Sequence, residues 1–113
     1  MADVLGPFEQ AVLLSLVRPV TPLGKEAYGR GILTEVQHRL GRQVAAGAVY
    51  STLDRLEQKG LISSELEAGS AARVGRPRRC YTIAPAGVRA LNEAKAASER
   101  LYAGVRWPLR TAP

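Results

Sequence analysis

Residues 48–83, AVYSTLDRLEQKGLISSELEAGSAARVGRPRRCYTI, change their hydrophobic period twice, and those changes decide the fold. At about 100° per residue, Val49, Leu53 and Leu56 fall within about 60° of one another, while Tyr50, Ser51, Asp54, Arg55 and Gln58 take the opposite arc. This predicts a helix over 48–59, stopped at Gly60, with one face to pack and one left for a partner. From Ile62 the period drops to two: Ile62, Ser64 and Leu66 alternate with Ser63, Glu65 and Glu67, and a second short strand follows over 79–83 with Tyr81 and Ile83 on one side. The stretch between them, AGSAARVGRPR, has no period and carries Gly69, Gly75 and Pro77, so the pair reads as an antiparallel hairpin with a long tip.

Working outward, Phe8, Val12, Leu13, Leu16 and Val17 recur at helical spacing, and Pro19 ends that first helix. A turn-rich connector leads to a second helix in which Tyr28, Ile32, Leu33, Val36 and Leu40 share a face and Arg30, Glu35 and Arg39 lie off it; Gly41 is placed as its stop. After the hairpin, Pro85 suits the first turn of a fourth helix carried over 85–106, with Trp107 and Pro108 beyond it. Its stripe Leu91, Ala94, Ser98, Leu101 and Val105 steps by three and four, closer to a coiled-coil seam than to a full core face.

The fold class expected is therefore mainly α with one small β-hairpin, a winged helix-turn-helix followed by a long C-terminal dimerisation helix, in a single domain over 1–113. At 113 residues the chain is the size of one small domain, able to bury roughly 65% of its unfolded surface. In a helix-turn-helix of this kind the second of the paired helices enters the major groove, and the wing reaches the neighbouring backbone or minor groove. Charge agrees: sixteen Lys and Arg against ten Asp and Glu give +6, and thirteen of the sixteen are arginine, the side chain suited to bidentate phosphate and base contacts.

Candidate DNA contacts follow. Arg73, Arg76, Arg78 and Arg79 put four cations in seven residues of the hairpin tip, with no acid between Glu67 and Glu93 to neutralise them. The bland alternative is a solvated loop; beside a recognition helix, phosphate or minor-groove contact is the stronger reading. On the third helix Tyr50, Ser51 and Arg55 face outward, and Arg55 could reach a guanine edge or a phosphate, its alternative being an ion pair with Asp54 or Glu57. For Tyr50, a hydroxyl-to-phosphate contact and packing of the ring on the second helix are compatible.

Other chemistry lacks its residues. One cysteine, Cys80, and one histidine, His38, cannot assemble a zinc or iron–sulfur ligand set, and Cys80 cannot close an intrachain disulfide, so no metal and no cofactor are expected and a reducing, cytoplasmic setting is. The run 11–17 is too short to span a bilayer. There is no Gly-x-Ser-x-Gly and no Walker-type loop, and AGAVYS has only Gly47; no enzyme is expected.

The segments FEQAVLLSL, AYGRGILTEV, AGAVYSTLDRLEQKGLI and RRCYTIAPAGVRAL also resemble the short form of the PadR-like transcriptional regulators, from Phe8 to about Val105. The resemblance implies a winged-helix homodimer that binds double-stranded operator DNA, usually as a repressor. Two departures stand out. Where relatives often carry a capping hydroxyl this chain has Ala45 and Ala84, each worth about 1 kcal/mol of lost capping. Relatives that bind aromatic drugs between subunits use a tryptophan inside the last helix, whereas Trp107 lies past its expected end. The alternatives are a winged-helix module docking on an acidic protein, and a regulator sensing a small-molecule effector in a pocket between subunits.

Overall fold

Residues 5–17, 27–67 and 78–112 are described by the computed structural model, and in them the expected periods become four helices and a small sheet. Helix α1 spans Pro7–Val17, strand β1 Ala27–Tyr28, α2 Gly29–Leu40, α3 Ala46–Gln58, β2 Ile62–Glu67, β3 Arg78–Ile83 and α4 Pro85–Tyr102. This is the order of a winged helix-turn-helix with a long helix appended.

Helix α1 packs against α2, α3, α4 and β3, and three successive residues, Ala11, Val12 and Leu13, are buried on it. Val17, expected on its core face, is exposed at the helix end. Ile32 and Val36 of α2 meet Val49, Leu53 and Leu56 of α3 in a core completed by Ile62 and Tyr81 from the sheet. Glu35 departs from expectation: it is buried, and the Arg39 Nε one turn on lies 2.9 Å from its carboxylate. Gly41 closes α2 in the left-handed region, φ 69°, its N–H donating to the Gln37 carbonyl at 2.9 Å.

The sheet has order β1-β3-β2, antiparallel throughout, with Ile62 opposite Ile83, Ser64 opposite Tyr81 and Glu67 opposite Arg78. Strand β1 is an addition to the expected hairpin. Tyr28, read from sequence as part of a helical face, is instead extended, φ −106° and ψ 158°, and pairs with Cys80. Two residues carry no period, and their partner lies more than fifty residues along the chain.

The fourth helix is shorter than the expected 85–106. Ala103 is already extended at ψ 139° and Gly104 turns at φ 80°, so the helix ends at Tyr102 and Val105 lies outside it. At its other end Gly87 fits against the Leu61 carbonyl: a Cβ there would contact that oxygen and come within 2.8 Å of Ile83 Cγ1. The Ala84 N–H donates to the same carbonyl at 2.9 Å, which fixes α4 to the base of the wing.

Candidate nucleic-acid interface

Burial of Val49, Thr52, Leu53 and Leu56 sets the rotation of α3, and by the helical period it turns Tyr50, Ser51, Asp54, Arg55 and Gln58 to the surface. The Arg55 Nη2 donates to Thr52 Oγ1 at 3.2 Å, which lays the guanidinium back along its own helix. Among the described residues Arg55 has no ion pair with Asp54 or Glu57, so its charge stays available. Ala45 and Ala84 occupy the N-cap positions of α3 and α4, and neither offers a side-chain cap.

Tyr50 is 46% exposed while its ring lies on Gly29; a Cβ on Gly29 would come within 2.8 Å of the Tyr50 Cζ. The hydroxyl end of the ring is the part that lies against Gly29, so Tyr50 packs on the start of the second helix while nearly half of the residue stays exposed. The contact also brings the start of α2 beside the outward face of α3, and with it Arg30, an exposed cation that sequence reasoning left unassigned. Its one sequence signal was a glycine opening a helix. Arg42, exposed in the turn between α2 and α3, was likewise passed over.

On the wing, alternation separates neighbours. Arg79 lies on the sheet face that meets α3: its Nη1 donates to Ser64 Oγ at 3.0 Å, and the Ser64 hydroxyl donates to the Glu57 carboxylate at 2.9 Å. This relay ties β3 to the last turn of α3. Buried on the same face, the Tyr81 phenol is pushed above its ordinary pKa by burial, against a lowering by the Arg79 guanidinium. Arg78, expected among the DNA-contacting cations, has partners of its own in the fold. It lies on the other face, its Nε 3.7 Å from Glu67 Oε2 and its Cζ 3.5 Å over the Tyr28 ring. Arg73 and Arg76 lie outside the described residues.

The expected dimer stripe is divided. Ala94 is buried in its own chain's core, and Leu91 packs against that core while remaining partly exposed. The proximal half of α4 thus packs on α1 within its own chain. Ser98 and Leu101 are exposed, Leu101 at 74%, and Val105 is exposed beyond the helix. Tyr102 and Trp107 stack edge to face with centroids 5.2 Å apart, and Leu101 and Leu109, near them in sequence, are also exposed.

His38 is exposed in the last turn of α2, and Cys80 is half-buried mid-strand. An open groove of about 540 Å³ runs between α1 and the end of α2, lined by Pro7, Gln10, Leu14, His38 and Leu40 among others. Among the described residues no helix is long and apolar enough to cross a membrane.

Comparison with known proteins bears on this arrangement. Residues 21–93 match the model of the transcriptional regulator PadR-like family. Transcriptional regulator Rv3488 of Mycobacterium tuberculosis is 44% identical over 69 residues, a match spanning 61% of this chain and 61% of that protein's length. Among solved structures, a PadR family transcriptional regulator from Eggerthella lenta superposes with a TM-score of 0.64 at 29% identity, covering 88% of this chain and 80% of that one. A PadR-like transcription factor from Bacteroides fragilis gives 0.66 at 26% identity, covering 82% and 81%.

Proposed function

The chain belongs to the PadR-like family of transcriptional regulators, and from that premise we propose that it binds a specific operator duplex as a homodimer and represses the adjacent gene. The observation that carries the reading is the outward face of α3, where Tyr50, Ser51 and an un-neutralised Arg55 stand exposed on a helix whose rotation the core fixes. Arg55 and Ser51 read base edges, Tyr50 and Arg30 meet the phosphates beside them, and Arg79 with the tip arginines Arg73 and Arg76 supplies contact along the wing.

Dimerisation uses the distal half of α4, Ser98 and Leu101, with Val105 and the aromatic pair that follows. Five large apolar side chains exposed between Leu101 and Leu109 favour a covered state, and two-fold symmetry would place two copies of α3 one helical turn apart. Joining two weak half-site contacts raises affinity by roughly 10² to 10⁴. Repression needs nothing further than occupancy of the operator, in the compartment that holds the chromosome.

Selection of bound duplexes from a random pool at about 150 mM salt tests this. The expected result is a palindromic consensus with half-site centres about 10 bp apart. Recovery of no consensus, or of a single unpaired site, would overturn the reading. A promoter carrying the consensus should lose activity when the chain is expressed; a gain would make the protein an activator.

A further inference from the structure

Arg78 and Arg79 are neighbours in sequence, yet the pleat sends them to opposite faces of the sheet. Arg79 turns toward α3. Arg78 turns to the face where Tyr28 and Glu67 stand, and these three side chains come one from each strand: Tyr28 from β1, Glu67 from β2, Arg78 from β3. Glu67 Oε2 is the partner the other two share, by a hydrogen bond in one case and an ion pair in the other. The Tyr28 hydroxyl donates to it at 2.8 Å, the Arg78 Nε lies 3.7 Å from it, and the Arg78 guanidinium carbon stands 3.5 Å above the centre of the Tyr28 ring. The cation therefore has a carboxylate beside it and an aromatic face beneath it.

Position gives this cluster its consequence. Glu67 and Arg78 form the last described pair of the hairpin before its tip, and Tyr28 is the residue from which α2 starts. A contact across 39 residues thus joins the stem of the wing to the entrance of the helix-turn-helix. A phosphate brought to this guanidinium would meet the Glu67 carboxylate beside it, a like charge that disfavours the contact.

We propose that Arg78 is a positioning residue: with Glu67 and Tyr28 it clasps the wing stem to the strand leading into α2, setting the angle at which the wing meets DNA without itself binding phosphate. This rests on the DNA-binding function proposed above. It also separates Arg78 from Arg79, which keeps a phosphate-contacting role.

The experiment is a titration of the full chain with a random-sequence 20-bp duplex across a salt series, paired with the Arg78 Nε–H resonance in a ¹⁵N spectrum with and without DNA. Arg78→Ala and Tyr28→Leu should each weaken binding roughly 2- to 5-fold, the size of one exposed cation–π contact. The double variant should be no weaker than either single one, and the slope of log K against log salt should not change. Tyr28→Phe, which keeps the ring, should retain most of the affinity. The Arg78 Nε proton should lie upfield, shielded by the ring, should stay there when DNA is added, and should lose the shift in Tyr28→Leu.

A slope reduced by about 0.9 in Arg78→Ala, the loss of one phosphate contact, with Tyr28→Leu binding as wild type, would overturn the proposal. So would wild-type affinity in both single variants. If Tyr28→Leu fails to fold by circular dichroism, Arg78→Lys decides. Lysine keeps the charge that a phosphate needs and loses the planar stack, so weakened binding supports the clasp and unchanged binding contradicts it. A wild-type chain that binds no duplex would instead remove the DNA-binding function. The clasp then stands or falls on the Arg78 resonance alone, an ordinary chemical shift overturning it.

Discussion

Gly87 and Gly31 both sit in helices, but their surroundings give opposite expectations for the same substitution. A methyl group on Gly87 would press on the Leu61 carbonyl and Ile83, where α4 closes on the base of the wing; around Gly31 nothing lies within 4 Å. Gly87→Ala should therefore destabilise the fold by about 1–3 kcal/mol through overpacking, and Gly31→Ala should stabilise it by about 0.5–1 kcal/mol through the lower entropy of the unfolded chain. Thermal melts of the two variants check both signs. Tyr81 gives a pH dependence. Its raised pKa means that the fold holds the neutral phenol more firmly than the unfolded chain does. Stability from this group is thus complete below the ordinary tyrosine value near 10 and is lost as pH rises through the folded-state value. Melting temperatures measured from pH 8 to 11.5 should fall more steeply for wild type than for Tyr81→Phe, and parallel curves would contradict the assignment.

Under the proposed dimer, helix α4 does two jobs along its length, and carboxylates placed in its two halves should separate them. Ala94→Asp buries a charge in the chain's own core and should abolish cooperative folding. Leu101→Asp touches only the exposed end; that variant should keep its helical circular dichroism but sediment as a monomer and lose roughly 10²-fold or more in affinity for a two-fold DNA site. A Leu101→Asp variant that remains dimeric would place the dimer contact elsewhere. The helices were legible because each core face repeats at 3.6 residues: Val49, Leu53 and Leu56 fixed α3, and with it which side chains stand outward. Strand β1 and the Tyr28–Glu67–Arg78 cluster were not legible, since two residues have no period and contacts across 39 positions leave no local mark. The stripe on α4 was half legible. Its spacing located one face correctly, but spacing does not tell whether α1 or a second chain covers it, and Gly104 ended the helix before Val105.

At the scale of the whole molecule, the chain extends 63 × 33 × 23 Å with a radius of gyration of 16.7 Å, against about 13 Å for a compact domain of this length. From Ser98 to its end α4 is exposed at every residue, and an elongated unit with exposed apolar side chains there suits pairing with its like. The net charge of +6 supplies attraction for any duplex, so nonspecific binding alone would not distinguish a sequence reader from a basic surface. What distinguishes them is the outward face of α3. The most direct measurement is the affinity of wild type and Arg55→Ala for the selected duplex and for a scrambled duplex of equal length at about 150 mM salt. Wild type should prefer the selected duplex by about 10³-fold or more, and Arg55→Ala should cost about 1–3 kcal/mol on it while changing binding to the scrambled one much less. Equal affinity of the wild-type chain for the two duplexes, or an Arg55→Ala loss of the same size on both, would contradict readout by α3.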